Sequence, residues 1–200
     1  MHPPLNNYQS LKRGYTFGVK TFYSNFHLGE DLIVSVGTPI YAPVSGDLKY
    51  SYGNQGGNTI YLSGIDGKLY RFLHLSTWKD SKKCKEGDVI AFSGNSGSIS
   101  KGSGHLHWDI SKNGKLELNN LDNFIDPEII INELLKSMTI ARNQKNGEFA
   151  YIQAGKRRKI TQERAGLAMI TIWTKSLIAK DEYKSLTDEE FNEIPAGKDF

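Results

Sequence analysis

A single cysteine, Cys84, excludes an intramolecular disulfide. It stands among Lys82, Lys83 and Lys85, which predicts an ordinary free thiol on a surface loop. No apolar run is long enough to cross a bilayer. Residues Met1 to Tyr8 carry no basic segment followed by an apolar core, so no signal peptide is expected. Charge of one sign is scarce as well. Twenty-five basic residues against 22 acidic ones leave a net charge of +3, too small a field to imply a nucleic-acid partner. A helical His-Glu-x-x-His is absent, and the glycine-serine run Ser93 to Gly104 lacks the Gly-Lys-Ser/Thr ending of a phosphate loop. Histidine itself is rare, with five in 200 residues, and the placement of four of them carries the argument.

Gly104-His105-Leu106-His107-Trp108-Asp109-Ile110 reads as a strand. His105, His107 and Asp109 fall on one face, and Leu106, Trp108 and Ile110 on the other. An isolated His-x-His is a common polar strand face. Here, however, His27 opens His27-Leu28-Gly29-Glu30-Asp31, and His74 ends the apolar run Leu69 to Leu73. Gly29 lets the chain turn closely, so His27 and Asp31 could reach one point. Glu30 points the other way in an extended segment and is expected in solvent. A catalytic zinc takes three protein ligands and keeps one position for water. His27, Asp31 and His107 would supply two imidazoles and a carboxylate. His74 and His105 are then the candidates for moving the proton.

From residue 32 onward the pattern is β. Pro39 and Pro43 hold Thr38 to Pro43 extended. Leu48, Tyr50 and Tyr52 alternate. Asp66-Gly67 joins Thr59–Leu62 to Leu69–Leu73 as a hairpin. Val89 to Phe92 reads as a buried strand, and Asn113-Gly114 is expected to fold residues 116–118 back on the histidine strand. Phe17, Phe22, Tyr23 and Phe26 are expected mostly in the core. Asp126-Pro127-Glu128 starts a helix to about Ser137. The fold class is thus mainly β: a compact antiparallel domain over residues 1–138, and a small α+β appendage over residues 139–200. In the appendage, Phe149–Ile152 and Arg158–Ile160 form a hairpin, Thr161 to Lys175 a helix, and Thr187 caps a last short helix. Residues 142–164 hold seven basic residues against two acids (+5), and residues 181–200 two against seven (−5). Mutual offset within a small fold is the expected reading.

His27-x-x-x-Asp31, Gly37-Thr38-Pro39-Ile40-Tyr41-Ala42-Pro43, Phe72-Leu73-His74-Leu75-Ser76 and Gly104-His105-Leu106-His107 resemble, in order and spacing, the lysostaphin/LytM-type zinc endopeptidases of peptidoglycan. The resemblance covers roughly residues 15 to 130. It implies Zn2+ on His27, Asp31 and His107, with His74 and His105 as base and transition-state stabiliser. It implies a narrow groove walled by loops, with Asn58 and Tyr23 as candidate substrate contacts. The substrate would be peptidoglycan peptides. The missing signal and the unfamiliar tail suggest a phage product, an endolysin or a tail-borne lysin, acting on the bacterial cell wall. Residues 139–200 would then meet an anionic wall polymer or a virion protein. The competing readings are a non-catalytic wall-binding or activator module, which would be expected to lose zinc ligands, and a structural virion component.

Overall fold

The structure is a computed structural model that describes residues 1–100, 104–136, 139–145, 149–153, 156–159 and 184–193. The chain divides into two units, Met1–Ile131 and Asn132–Phe200. The expected boundary lay at 138/139.

In the first unit, β1 (Gly29–Ile33), β3 (Gly46–Gly53), β4 (Gly57–Gly64), β5 (Leu69–Leu75), β7 (Lys83–Cys84), β9 (His105–Ser111) and β10 (Phe124–Ile125) form one antiparallel sheet. Its order is β1-β9-β5-β4-β3-β7, with β10 also on β9. β2 (Pro39–Tyr41), β6 (Thr77–Trp78) and β8 (Val89–Phe92) form a second sheet, ordered β2-β8-β6. The Asp66-Gly67 hairpin forms as expected, with Gly67 at a φ of 79° that glycine adopts without strain.

β9 sits between β1 and β5, so both of its edges are paired. Leu106, Trp108 and Ile110 are buried on the core side with Leu32, Ile60, Tyr70 and Phe72. The Trp108 ring stacks on Phe72 at 6.4 Å and meets Tyr8 edge-on at 5.8 Å. Its indole N–H donates to the Tyr8 hydroxyl at 3.2 Å. Burying side chains of this size stabilises by roughly 1.5–3 kcal/mol each. The helix α1 (Pro127–Lys136) starts as predicted, with the Glu128 N–H donating to Asp126 Oδ1 at 2.9 Å.

Several expectations are corrected. Residues 116–118 form no strand; the Asn113-Gly114 turn is present, but β10 is what pairs with Ser111 and Ile110. Glu30 does point away from Asp31, yet it is 3% exposed. The cause is the segment before it. Backbone bonds from Gly14 N to Asp31 O (2.8 Å) and from Asp31 N to Tyr15 O (2.9 Å) lay residues 12–15 along β1. Arg13 then lies 3.0 Å from Glu30 and 3.1 Å from Glu128, over the Tyr8 ring. Burial pushes the Glu30 carboxyl up to about 7 against the pull of Arg13, with Glu128 and Asp126 adding to the rise. Cys84 is buried in β7, not on a loop, and burial raises its thiol to about 11, which makes it inert. Phe17 and Phe26 are half-buried, while Phe22 is 93% and Tyr23 59% exposed.

In the second unit, β11 (Thr139–Asn143), β12 (Phe149–Gln153), β13 (Lys156–Lys159) and β14 (Lys184–Leu186) form a sheet ordered β13-β12-β11-β14. The β12–β13 hairpin is antiparallel as predicted, and β11 runs parallel to β14. The helix α2 (Asp188–Glu193) begins after Thr187. The helix expected at Thr161 to Lys175 lies outside the described residues. No described helix is long and apolar enough to cross a membrane.

Candidate metal centre and cleft

Three strands (β1, β5 and β9) and one loop bring the histidines and Asp31 together. His27 closes the loop of residues 18–27, whose base is tied by His27 N to Val19 O and Gly18 N to His27 O, both at 2.8 Å. Asp31 on β1 stands opposite His107 on β9 in the antiparallel register. As a result Asp31 Oδ1 lies 3.2 Å from His27 Nε2 and 2.9 Å from His107 Nδ1. One donor atom from each residue lies within 4.8 Å of the others, and the two rings meet edge-on at 4.6 Å.

The outer nitrogens are occupied. His27 Nδ1 donates to Thr16 O at 3.2 Å, and His107 Nε2 donates to Asp109 Oδ2 at 3.0 Å. The same carboxylate oxygen accepts from Arg71 Nε at 2.9 Å and Nη2 at 2.6 Å, and Arg71 stands opposite Asp109 in the β5–β9 register. With these tautomers fixed by their partners, both inner lone pairs face a carboxylate. That arrangement is repulsive without a cation between them, so the donor set fits zinc: two nitrogens and one oxygen, held by partners behind them.

In the metal-free chain, ring protons on these inner nitrogens stand in for the cation. Burial would raise Asp31, but hydrogen bonds from His107 and His27 then outweigh it and hold the carboxyl far below the usual range. Burial would lower His107, but Asp109 and Asp31 outweigh it and raise the ring. Asp109 is likewise kept ionised against its burial, chiefly by Arg71 and then by His107.

His74 ends β5 at a φ of 62°, rare for a side chain this size. Its backbone is held on both sides: its N–H donates to Gly56 O at 2.9 Å, and its carbonyl accepts from Ser96 N at 3.4 Å. Gly94 allows this, because a Cβ there would stand 2.3 Å from Ser76 N and 2.5 Å from His74 O. The ring's Nδ1 donates to Ser96 O at 2.9 Å, and the ring lies 4.7 Å from His105 and 6.4 Å from His107. Burial lowers His74 to about 4, with His105 and His107 adding to the effect, so it is neutral near pH 7. His105 Nδ1 lies 3.5 Å from Ser100 Oγ.

Beside this set a cleft of about 330 Å³ is lined by Gly14, Tyr15, Asp31, Ile33, Ile99, Ser100 and His105. Tyr15, which the sequence reading passed over, stands 5.9 Å from the His27 ring, and Tyr23 is not among the lining residues. Asn58 donates its amide N–H to Leu75 O at 3.1 Å and accepts nothing from the cleft-lining residues; its own backbone N–H donates to Ser96 Oγ at 2.9 Å. It braces the strand end that carries His74. Asp109 was legible as a third polar residue on the histidine face. Arg71 and Tyr15 carried no local signal, since each depends on a strand or segment distant in sequence.

Residues 25–118 match the sequence profile of peptidase family M23. An uncharacterized metalloprotease of Haemophilus influenzae is 39% identical over 93 residues, covering 44% of this chain and 19% of that protein. The peptidoglycan DD-endopeptidase ShyC of Vibrio cholerae is 33% identical over 91 residues, covering 44% and 21%. The match thus spans about a fifth of these relatives' length. Among solved structures, the catalytic domain of lysostaphin from Staphylococcus simulans is similar with a TM-score of 0.54 at 30% identity, covering 62% of this chain and 94% of that domain.

Proposed function

This chain belongs to peptidase family M23, and on that premise we propose that it is a zinc-dependent endopeptidase of bacterial peptidoglycan. The observation that carries the proposal is the convergence of His27 Nε2, Asp31 Oδ1 and His107 Nδ1, with both outer histidine nitrogens already occupied. In this reading those three residues hold the ion, which when bound polarises the peptide carbonyl and lowers the pKa of a water.

The rest of the chemistry falls to the chain's own side chains. His74 is neutral with Nδ1–H fixed on Ser96 O, which leaves Nε2 to take the proton of the attacking water and return it to the leaving amine. His105, 4.7 Å away across the cleft wall, stabilises the charge that develops. Tyr15 lines the cleft together with His105 and orients the peptide. Arg71 and Asp109 act through His107 as positioning residues.

Cell-wall suspensions should clear with the zinc-loaded protein and fail to clear with chelator. Clearing that survives chelation, or survives His107→Ala, would sink the assignment. Residues 132–200 lie outside the family match. For delivery we propose a phage lysin, released at lysis or mounted on a virion tail. Immunolabelling of purified virions separates the two routes, and its absence from both virions and phage lysates would contradict the proposal.

A further inference from the structure

Lys156, Arg157, Arg158 and Lys159 make up the whole of β13. β13 ends the strand order β13-β12-β11-β14, so its outer edge pairs with no strand among the described residues. The register sets Lys156 opposite Gln153, Arg157 opposite Ile152, Arg158 opposite Tyr151 and Lys159 opposite Ala150. No cross-strand partner is acidic.

The charge count suggested that the acidic residues 181–200 would offset this run. The sheet order argues otherwise. α2, with Asp188, Glu189, Glu190 and Glu193, follows β14 and packs on β14 and β11. β14 lies three strand spacings from β13, ~14 Å, which exceeds the ~8 Å screening length at physiological salt. Among the described residues the acids of α2 thus lie by β14 and β11 rather than by β13, and Asp188 there pairs with Lys145 at 3.3 Å. A lysine or two would be enough to keep an edge strand from pairing with another chain. Four cations in a row are more than that task requires.

We propose that the β13 edge docks a flexible, phosphodiester-linked anionic polymer of the bacterial wall. The charge argument calls for a polyanion; the choice of a wall polymer rests on the function proposed above. Successive positions of a strand alternate between its two faces at ~3.3 Å rise, so the backbone register places Lys156 and Arg158 at one set of positions and Arg157 and Lys159 at the other, along one edge. A linear, flexible polyanion can follow that edge. β13 itself holds no aromatic residue, and the one aromatic opposite it in register is Tyr151, across from Arg158, so single-stranded DNA is the comparison that decides between polyanions.

The test uses the full chain and soluble poly(glycerol phosphate), with single-stranded DNA, hyaluronate and anionic vesicles as comparison probes. Binding should be tightest for poly(glycerol phosphate) and weaken linearly in log–log salt plots. Replacing all four cations by Gln should weaken it at least about tenfold and flatten the salt slope by about 2–3. The double variant Arg157→Lys with Arg158→Lys should keep the affinity, which separates charge from folding. His107→Ala should bind polymer as the parent does, so a failure of the enzymatic reading leaves this result untouched. No binding at low salt, unchanged binding by the four-Gln variant, or tighter binding to DNA or vesicles would overturn the proposal.

Discussion

At the scale of single residues, His107 depends on two partners that do different work. Asp31 shares its donor position, and Asp109 fixes its tautomer from behind. Asp109→Asn should therefore leave the fold in place and weaken zinc roughly 10–100-fold, measured by competition with a chelating dye. Arg71→Met is a harsher change. It leaves the fully buried Asp109 without its cation, and a broken buried pair costs about 3–5 kcal/mol, read as a lower denaturation midpoint. His74 supplies a pH prediction. Its folded pKa of about 4 lies below its ordinary 6.5, so the unfolded chain binds more protons between those values. Stability of the zinc-free protein should rise with pH through that window, by at most about 3 kcal/mol, and His74→Gln should flatten the rise in urea melts at pH 4.5 and pH 7.

At the scale of elements, the strand carrying His105 and His107 was legible because its polar and apolar residues alternate cleanly. The Asp66-Gly67 hairpin was legible for its turn chemistry. What could not be read depends on contacts distant in sequence. Glu30 was correctly aimed, but its burial comes from Arg13 and the strap beside β1. Cys84 has the neighbours of a surface loop, yet pairing with Gly46 draws it into a sheet. The partner of β9 beyond its turn is Phe124–Ile125, ten residues past Gly114, because the intervening stretch is a loop with a short 3₁₀ turn at Leu121–Asn123. The loop containing Gly94 holds His74 by close backbone contact. Gly94→Ala should push that loop off Ser76 and His74. Displacing His74, the proton-transfer group proposed above, by about 1 Å should cost on the order of 100-fold, so kcat should fall far more than KM rises.

At the scale of the whole molecule, the ligand types and their order were in the sequence, but their convergence is a product of the sheet order. β1 and β5 flank β9, and this places Asp31, His107 and the end of β5 side by side. In the second unit the +5 of residues 142–164 and the −5 of residues 181–200 are equal in number, but the strand order places β13 three strands from β14, which the acids of α2 follow. For the first unit the activity proposed above is zinc-dependent cleavage of peptidoglycan peptides. Its most direct test is mass spectrometry of fragments from purified peptidoglycans of several cross-bridge types, digested with zinc-loaded protein beside a chelated control. New amino and carboxyl termini should appear at one class of peptide bond, present with zinc and absent with chelator. Stoichiometrically bound zinc with every peptide linkage intact across the panel would contradict it.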